Sequence, residues 1–192
     1  MNIVVSNVKG GVGKTTSAIY LAAVAASGSK WRPVALVDAD RQASSAEWLE
    51  QDPIDGVELI EAPSERTVVR ALDKFDGTVV VDTPPGDERI VRAAILRADA
   101  VVIPTRAGGV EPTRVLATLE MIPKDIPCGV VVCAARLGTN DLAVTVEEWA
   151  EAQVPVWGVV PERVGIAAGP GARLHREGLE EYARVFKRAQ KR

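Results

Sequence analysis

Residues 8–16 read Val-Lys-Gly-Gly-Val-Gly-Lys-Thr-Thr and follow directly on the apolar run Ile3-Val4-Val5. Strand, glycines, Lys-Thr and an Ala/Leu-rich helix (Thr15 to Ala26) come in the order of a phosphate-binding loop. Counted back from Gly13-Lys14-Thr15, the position of the first Gly of Gly-x-x-x-x-Gly-Lys-[Ser/Thr] holds Val8, and Lys9 follows it. The departure puts two lysines, Lys9 and Lys14, around one polyphosphate site. Gly10, Gly11 and Gly13 let the backbone take φ > 0 and approach a ligand closely. Successive N–H groups ahead of a helix N-terminus make a concave anion site. Lys14 adds a point charge for the β- and γ-phosphates. Thr15 offers its hydroxyl to Mg²⁺, and Thr16 a hydrogen bond to a further phosphate. On the first helix, Ile19, Ala22, Ala23 and Ala26 fall near one face.

Two more segments belong with the loop. Val34-Ala35-Leu36-Val37 reads as a buried strand ending in Asp38-Ala39-Asp40, and Val79-Val80-Val81 as one ending in Asp82-Thr83-Pro84-Pro85-Gly86. Carboxylates at the C-terminal ends of parallel strands face the crevice where doubly wound sheets bind ligands. Asp82 is the candidate that orients Mg²⁺ through a water beside Thr15. Asp38 and Asp40 share a face if the chain stays extended there, one toward the metal waters and the other toward the attacking water.

Apolar runs and helical patterns alternate along the chain. Strands are expected near 2–7, 33–38, 57–61, 78–82, 100–104, 128–133 and 156–160. Helices are expected near 14–27, 43–50, 64–74, 87–97, 111–121, 141–152 and 176–190. Such alternation predicts one α/β domain over residues 1–192, a doubly wound, mainly parallel sheet flanked by helices. Thr105 to Pro112, with Gly108-Gly109, reads as a mobile loop. At 192 residues, 47 % hydrophobic and 4 % aromatic, the chain is of ordinary single-domain size with an Ala/Val-rich core. Cys128 and Cys133 flank Gly129-Val130-Val131-Val132 and read as small buried apolar residues rather than a disulfide or metal pair. His175 is the one histidine. No apolar run approaches ~20 residues, so neither a membrane span nor a secretory leader is expected, and a reducing cytoplasm is.

Net charge is −3, but residues 173–192 carry +4, leaving −7 for the remainder. On the C-terminal helix Leu179, Tyr182, Val185 and Phe186 share a face that docks on the core. Its basic face either is merely solvated or binds phosphate backbones without reading sequence. The basic candidates are Arg163, Arg173, Arg176, Arg184, Lys187 and Arg188.

Lys9-Gly10-Gly11-Val12-Gly13-Lys14-Thr15-Thr16 resembles the deviant Walker A motif of the ParA/MinD ATPases. Asp38-Ala39-Asp40-Arg41-Gln42-Ala43-Ser44 resembles their switch segment, with Arg41 in place of the common proline. Asp82-Thr83-Pro84-Pro85 resembles their Walker B motif, and Pro161-Glu162-Arg163-Val164-Gly165-Ile166 their proline-containing loop near the base. The likeness is greatest to small ParA proteins of DNA partition and runs to about Pro170. It implies a P-loop fold with ATP and ADP as nucleotides, Mg²⁺ as the metal, and an ATP-sandwich homodimer. Hydrolysis would be slow alone and raised by a centromere-binding partner, ParB-like or a small ribbon-helix-helix protein. By that resemblance Lys9 reaches the partner subunit's phosphates, Asp40 positions the hydrolytic water, and Asp38 and Asp82 sit in the Mg²⁺ shell, through water. Gly10 to Thr16, Val12 included, cradle the phosphates, and Pro161 lies by the base. Relatives often place a DNA-contacting basic residue at the position of Gly165; Arg163 is the substitute here. Nucleoid association in the cytoplasm follows from the same likeness. The alternatives are a MinD-like membrane-surface ATPase, a positioner of a non-DNA cargo, and a metabolic ATP-dependent synthetase.

Overall fold

The computed structural model describes residues 1–28, 32–108, 111–167, 169 and 173–191. Among them seven strands form one parallel sheet in the order β3-β2-β4-β1-β5-β6-β7. The strands are β1 (Asn2–Val5), β2 (Val34–Asp38), β3 (Val57–Glu61), β4 (Thr78–Asp82), β5 (Ala100–Arg106), β6 (Cys128–Ala135) and β7 (Val156–Pro161). The helices are α1 (Lys14–Gly28), α2 (Ser44–Gln51), α3 (Glu65–Lys74), α4 (Glu88–Ile95), α5 (Glu111–Leu119), α6 (Asn140–Glu151), α7 (Val164–Ala167) and α8 (Arg176–Ala189). The doubly wound architecture predicted from the alternation is the one observed.

The sheet is central and dry. Ile3, Val5, Leu36 and Val80 face α1 and α8, whereas Val4, Val37, Val81 and Val101 face the layer that includes α3 and α4. This two-sided burial is why the strands read as continuous apolar runs rather than alternating ones. β1 lies between β4 and β5, so the chain leaves the sheet at its centre, where the direction of winding reverses.

Three expectations need correction. α1 does not bury one face: Ser17 through Ala25 are all buried, because α8 lies across its outer side. Tyr20 and Tyr182 stack there with ring centroids 5.2 Å apart. The first strand stops at Val5; Asn7 has left the sheet and ties the chain down, its Nδ2 donating to Pro104 O at 2.8 Å and its Oδ1 accepting from Lys9 N at 2.9 Å. The loop expected over 105–112 is shorter. Thr105 and Arg106 continue β5 opposite Val132 and Cys133, and α5 begins at Glu111. Gly109 lies outside the described residues. The four-residue α7 was not anticipated. Tyr182 and Val185 are fully buried, with Leu179 and Phe186 packed beside them, as expected for the docking face of α8. No helix among the described residues is long and apolar enough to cross a membrane.

Candidate nucleotide site

The segment between β1 and α1 turns through Gly11 and Gly13, at φ +73° and +98°. A side chain at Gly13 would also press on Cys133, 3.4 Å from an added Cβ, so this position demands glycine on two counts. The loop delivers Lys14 to the start of α1 with its amine donating to Lys9 O at 2.8 Å. Lys14 is buried, whereas Lys9 is exposed at the lip of the loop. Burial lowers the Lys14 ammonium's pKa; the charges of Asp82 and Asp40 oppose that.

Asp38 and Asp82 stand side by side, paired in register at the ends of β2 and β4. They do different things. Asp38 accepts Asp40 N at 3.0 Å through one oxygen and Ala46 N at 2.9 Å through the other, so it holds the start of α2. Burial still raises its pKa, opposed by those N–H groups and by Ser45 N–H and reinforced by the Asp40 charge. Asp82 accepts the Ser45 hydroxyl at 2.7 Å through Oδ2. Its Oδ1 is buried without a hydrogen-bond partner. Burial pushes the Asp82 carboxyl up to about 6; Ser45 and Thr15 hydrogen bonding and the Lys14 charge pull the other way. Past Asp38 the pairing continues one residue further, with Ala39 N donating to Asp82 O at 3.0 Å, and the turn follows at Arg41–Gln42. Asp40, just before that turn, lines the cleft while accepting Gln42 N at 3.0 Å. Ala43, at φ +53°, closes that turn in the left-handed region, a strained conformation for a residue with a Cβ.

Two cavities meet at the loop. One, of about 410 Å³, is lined by Gly10, Gly11, Gly13, Lys14, Thr15, Thr16 and Asp40. The other, about 140 Å³, is lined by Val12, Gly13, Thr16, Cys133, Pro161 and Tyr182. The sequence-predicted residues therefore converge, with Asp38 and Asp82 set back beneath the cleft wall. Sequence reasoning missed Ser45 and Arg106, and it gave no individual role to Thr83 and Ile166, which stand in its quoted motifs and line the cleft. Arg106 ends a strand just as Asp38 and Asp82 do, and the same strand-end rule points to it.

The donors fit a hard cation bound chiefly by its nucleotide. Thr15 and Asp82 offer oxygen, and Asp82 keeps an unused oxygen for a bridging water. No cluster of three or more His, Cys, Asp or Glu that could hold a metal occurs among the described residues. Both cysteines are free thiols whose pKa is raised by burial. The basic C-terminal candidates are partly tied up. Arg163 pairs with Glu177 at 2.6 Å and Glu181 at 3.1 Å, Arg176 pairs with Glu180 at 3.2 Å, and Arg188 donates to Val156 O. Arg173, Arg184 and Lys187 are exposed.

Residues 3–184 match the model of the CobQ/CobB/MinD/ParA nucleotide binding domain (CbiA). The chain belongs to that family. Within the CobQ/CobB/MinD/ParA family it is 41 % identical over 107 residues to the maintenance of carboxysome distribution protein A of Gloeobacter kilaueensis, covering 54 % of this chain and 48 % of that one. It thus spans about half the length of that relative. It is 28 % identical to the chromosome-partitioning ATPase Soj of Thermus thermophilus, covering 88 % of this chain and 84 % of Soj. In fold it is similar to a plasmid partition protein of Borrelia burgdorferi bound to AMPPNP, with a TM-score of 0.78, 20 % identity and coverage of 97 % and 96 %. Partition and positioning proteins thus recur among its relatives.

Proposed function

We propose that this chain works as one domain, a Mg²⁺-dependent ATPase that pairs with a second copy on binding ATP and positions DNA in the manner of a partition protein. One observation carries the reading. Two lysines bracket one loop, Lys14 buried beneath it and Lys9 exposed at its lip beside the cleft that Asp40 faces. Phosphoryl transfer needs positioning and charge neutralisation more than covalent chemistry. Lys14 neutralises charge from below, Thr15 and, through a water, Asp82 would hold Mg²⁺, and the glycine N–H groups cradle the phosphates. Asp40 orients the attacking water from the opposite wall, and Lys9 projects toward a facing subunit's phosphates. Mg²⁺, once bound, would supply further charge neutralisation to the phosphates. Losing the γ-phosphate weakens the pair, so the protein is a timed switch.

A centromere-binding partner, ParB-like or ribbon-helix-helix, would raise the rate. Exposed Arg173, Arg184 and Lys187 are the remaining candidates for DNA phosphates on the C-terminal face, two copies acting together by avidity. The test compares binding to random-sequence duplex DNA with ADP and with a non-hydrolysable ATP analogue. Binding that appears only with the analogue supports partition; equal or absent binding in both removes the DNA role. A second reading, positioning of a non-DNA cargo, draws support from the 41 % match to the carboxysome distribution protein. The MinD-like membrane role is disfavoured because the apolar face of α8 is already covered by the core.

A further inference from the structure

Arg106 is the last residue of β5, held by the ladder opposite Cys133 at the C-terminal edge of the sheet. β5 neighbours β1, the strand that feeds the phosphate loop. The two cavities at the loop have four lining residues in common: Gly13, Thr16, Arg106 and Ile166. Arg106 is the only charged one of the four. Its other surroundings are a recess of about 290 Å³ that also holds Arg136, Asp141 and Glu162. There Glu162 is paired with Arg136 at 2.9 Å. Among the described residues no ion pair involves Arg106.

We infer that Arg106 is a nucleotide-binding residue that grips the phosphate nearest the ribose. This rests on the ATPase reading above. A nucleotide with its terminal phosphates on Lys14 and Thr15 and its base toward Pro161 must cross from one cavity to the other at Gly13 and Thr16. The group at that crossing is the α-phosphate. A guanidinium there is always charged and presents a fixed fork to two phosphate oxygens. Because the α-phosphate is the same in ATP and ADP, Arg106 stabilises both alike and does not distinguish the states before and after hydrolysis. It anchors the nucleotide while Lys9, Lys14 and Asp40 sense the γ-phosphate.

The test is calorimetric titration of the full chain with Mg-ADP and with a Mg-bound non-hydrolysable ATP analogue, for wild type, Arg106→Ala and Arg106→Lys. Thermal melts confirm that each variant is folded. Loss of a hydrogen bond to a charged group corresponds to ~10–100-fold in affinity. Arg106→Ala is expected to weaken both nucleotides by the same factor in that range. Arg106→Lys is expected to recover part of the loss. Unchanged affinities in Arg106→Ala would overturn the inference. So would a loss confined to the ATP analogue, which would put the arginine at the γ-phosphate. If the wild-type chain bound neither nucleotide, the ATPase reading itself would fall.

Discussion

Asp82 illustrates how much of the site is decided by one side chain's surroundings. It sits 1 % exposed between Ser45, Thr15 and Lys14, with one oxygen unpartnered. Its folded pKa of about 6 lies above the 3.8 of a free carboxyl. A carboxyl raised in the folded state contributes no penalty below pH ~4, a growing one between 4 and 6, and a full one above 6. The shift corresponds to about 3 kcal/mol at neutral pH. Asp82→Asn in nucleotide-free protein with chelator should therefore raise the melting temperature by several degrees at pH 8, and the gain should shrink as pH falls toward 5. A pH-independent gain would mean that the charge is not the cause. The same variant should bind Mg-nucleotide poorly, so the site holds destabilising charge that its ligand relieves. The phosphate loop was legible in the sequence because its residues are contiguous. Ser45 was not, because it reaches the site only through the fold and meets a carboxylate 37 positions away.

The strands were readable to within a residue or two, since most are apolar runs that stop at a polar or turn residue; the edge strand β3, Val-Glu-Leu-Ile-Glu, is the exception. What the pattern could not show is irregularity. β6 slips register against β7 between Val132 and Ala135, and Ala134 adopts φ +49°. Such a bulge re-aims side chains, and it places both Cys133 and Ala134 on the wall of the smaller cavity. α7 escaped notice because four residues carry no period. Gly129 read only as part of an apolar stretch, yet an added Cβ there would come within 2.3 Å of the Trp157 ring. Gly129→Ala must displace that buried indole, and overpacking of this kind costs about 2–3 kcal/mol. Urea unfolding should show a lower midpoint at unchanged slope. A midpoint equal to wild type would mean that the ring moves freely. At the other side of the fold, the capping box of Ser64 and Thr67 fixes the start of α3; Ser64→Ala should cost about 1 kcal/mol by the same measurement.

For the whole molecule the prediction is a change of partner number with nucleotide. Asp40→Ala should run as a dimer in sizing experiments with ATP and stay so, because pairing is retained while the water is no longer oriented. A monomer under those conditions would count against the sandwich. Lys9→Ala should still bind nucleotide but lose partner-stimulated hydrolysis, and normal stimulated turnover would refute its role across the interface. The packing of α8 on α1 bears on how the protein is made. Tyr182 shares a hydrogen bond with Ser17 at 2.8 Å, and His175 N donates to Tyr20 Oη at 2.9 Å, across 165 and 155 positions of sequence. During synthesis the loop and α1 emerge well before α8, their outer cover. A growing chain that has formed its sheet but not yet delivered residues 176–189 would carry an uncovered, largely apolar helix behind its phosphate loop. Until residues 176–189 have been added, α1 lacks its outer cover and the helix behind the phosphate loop is not fully packed.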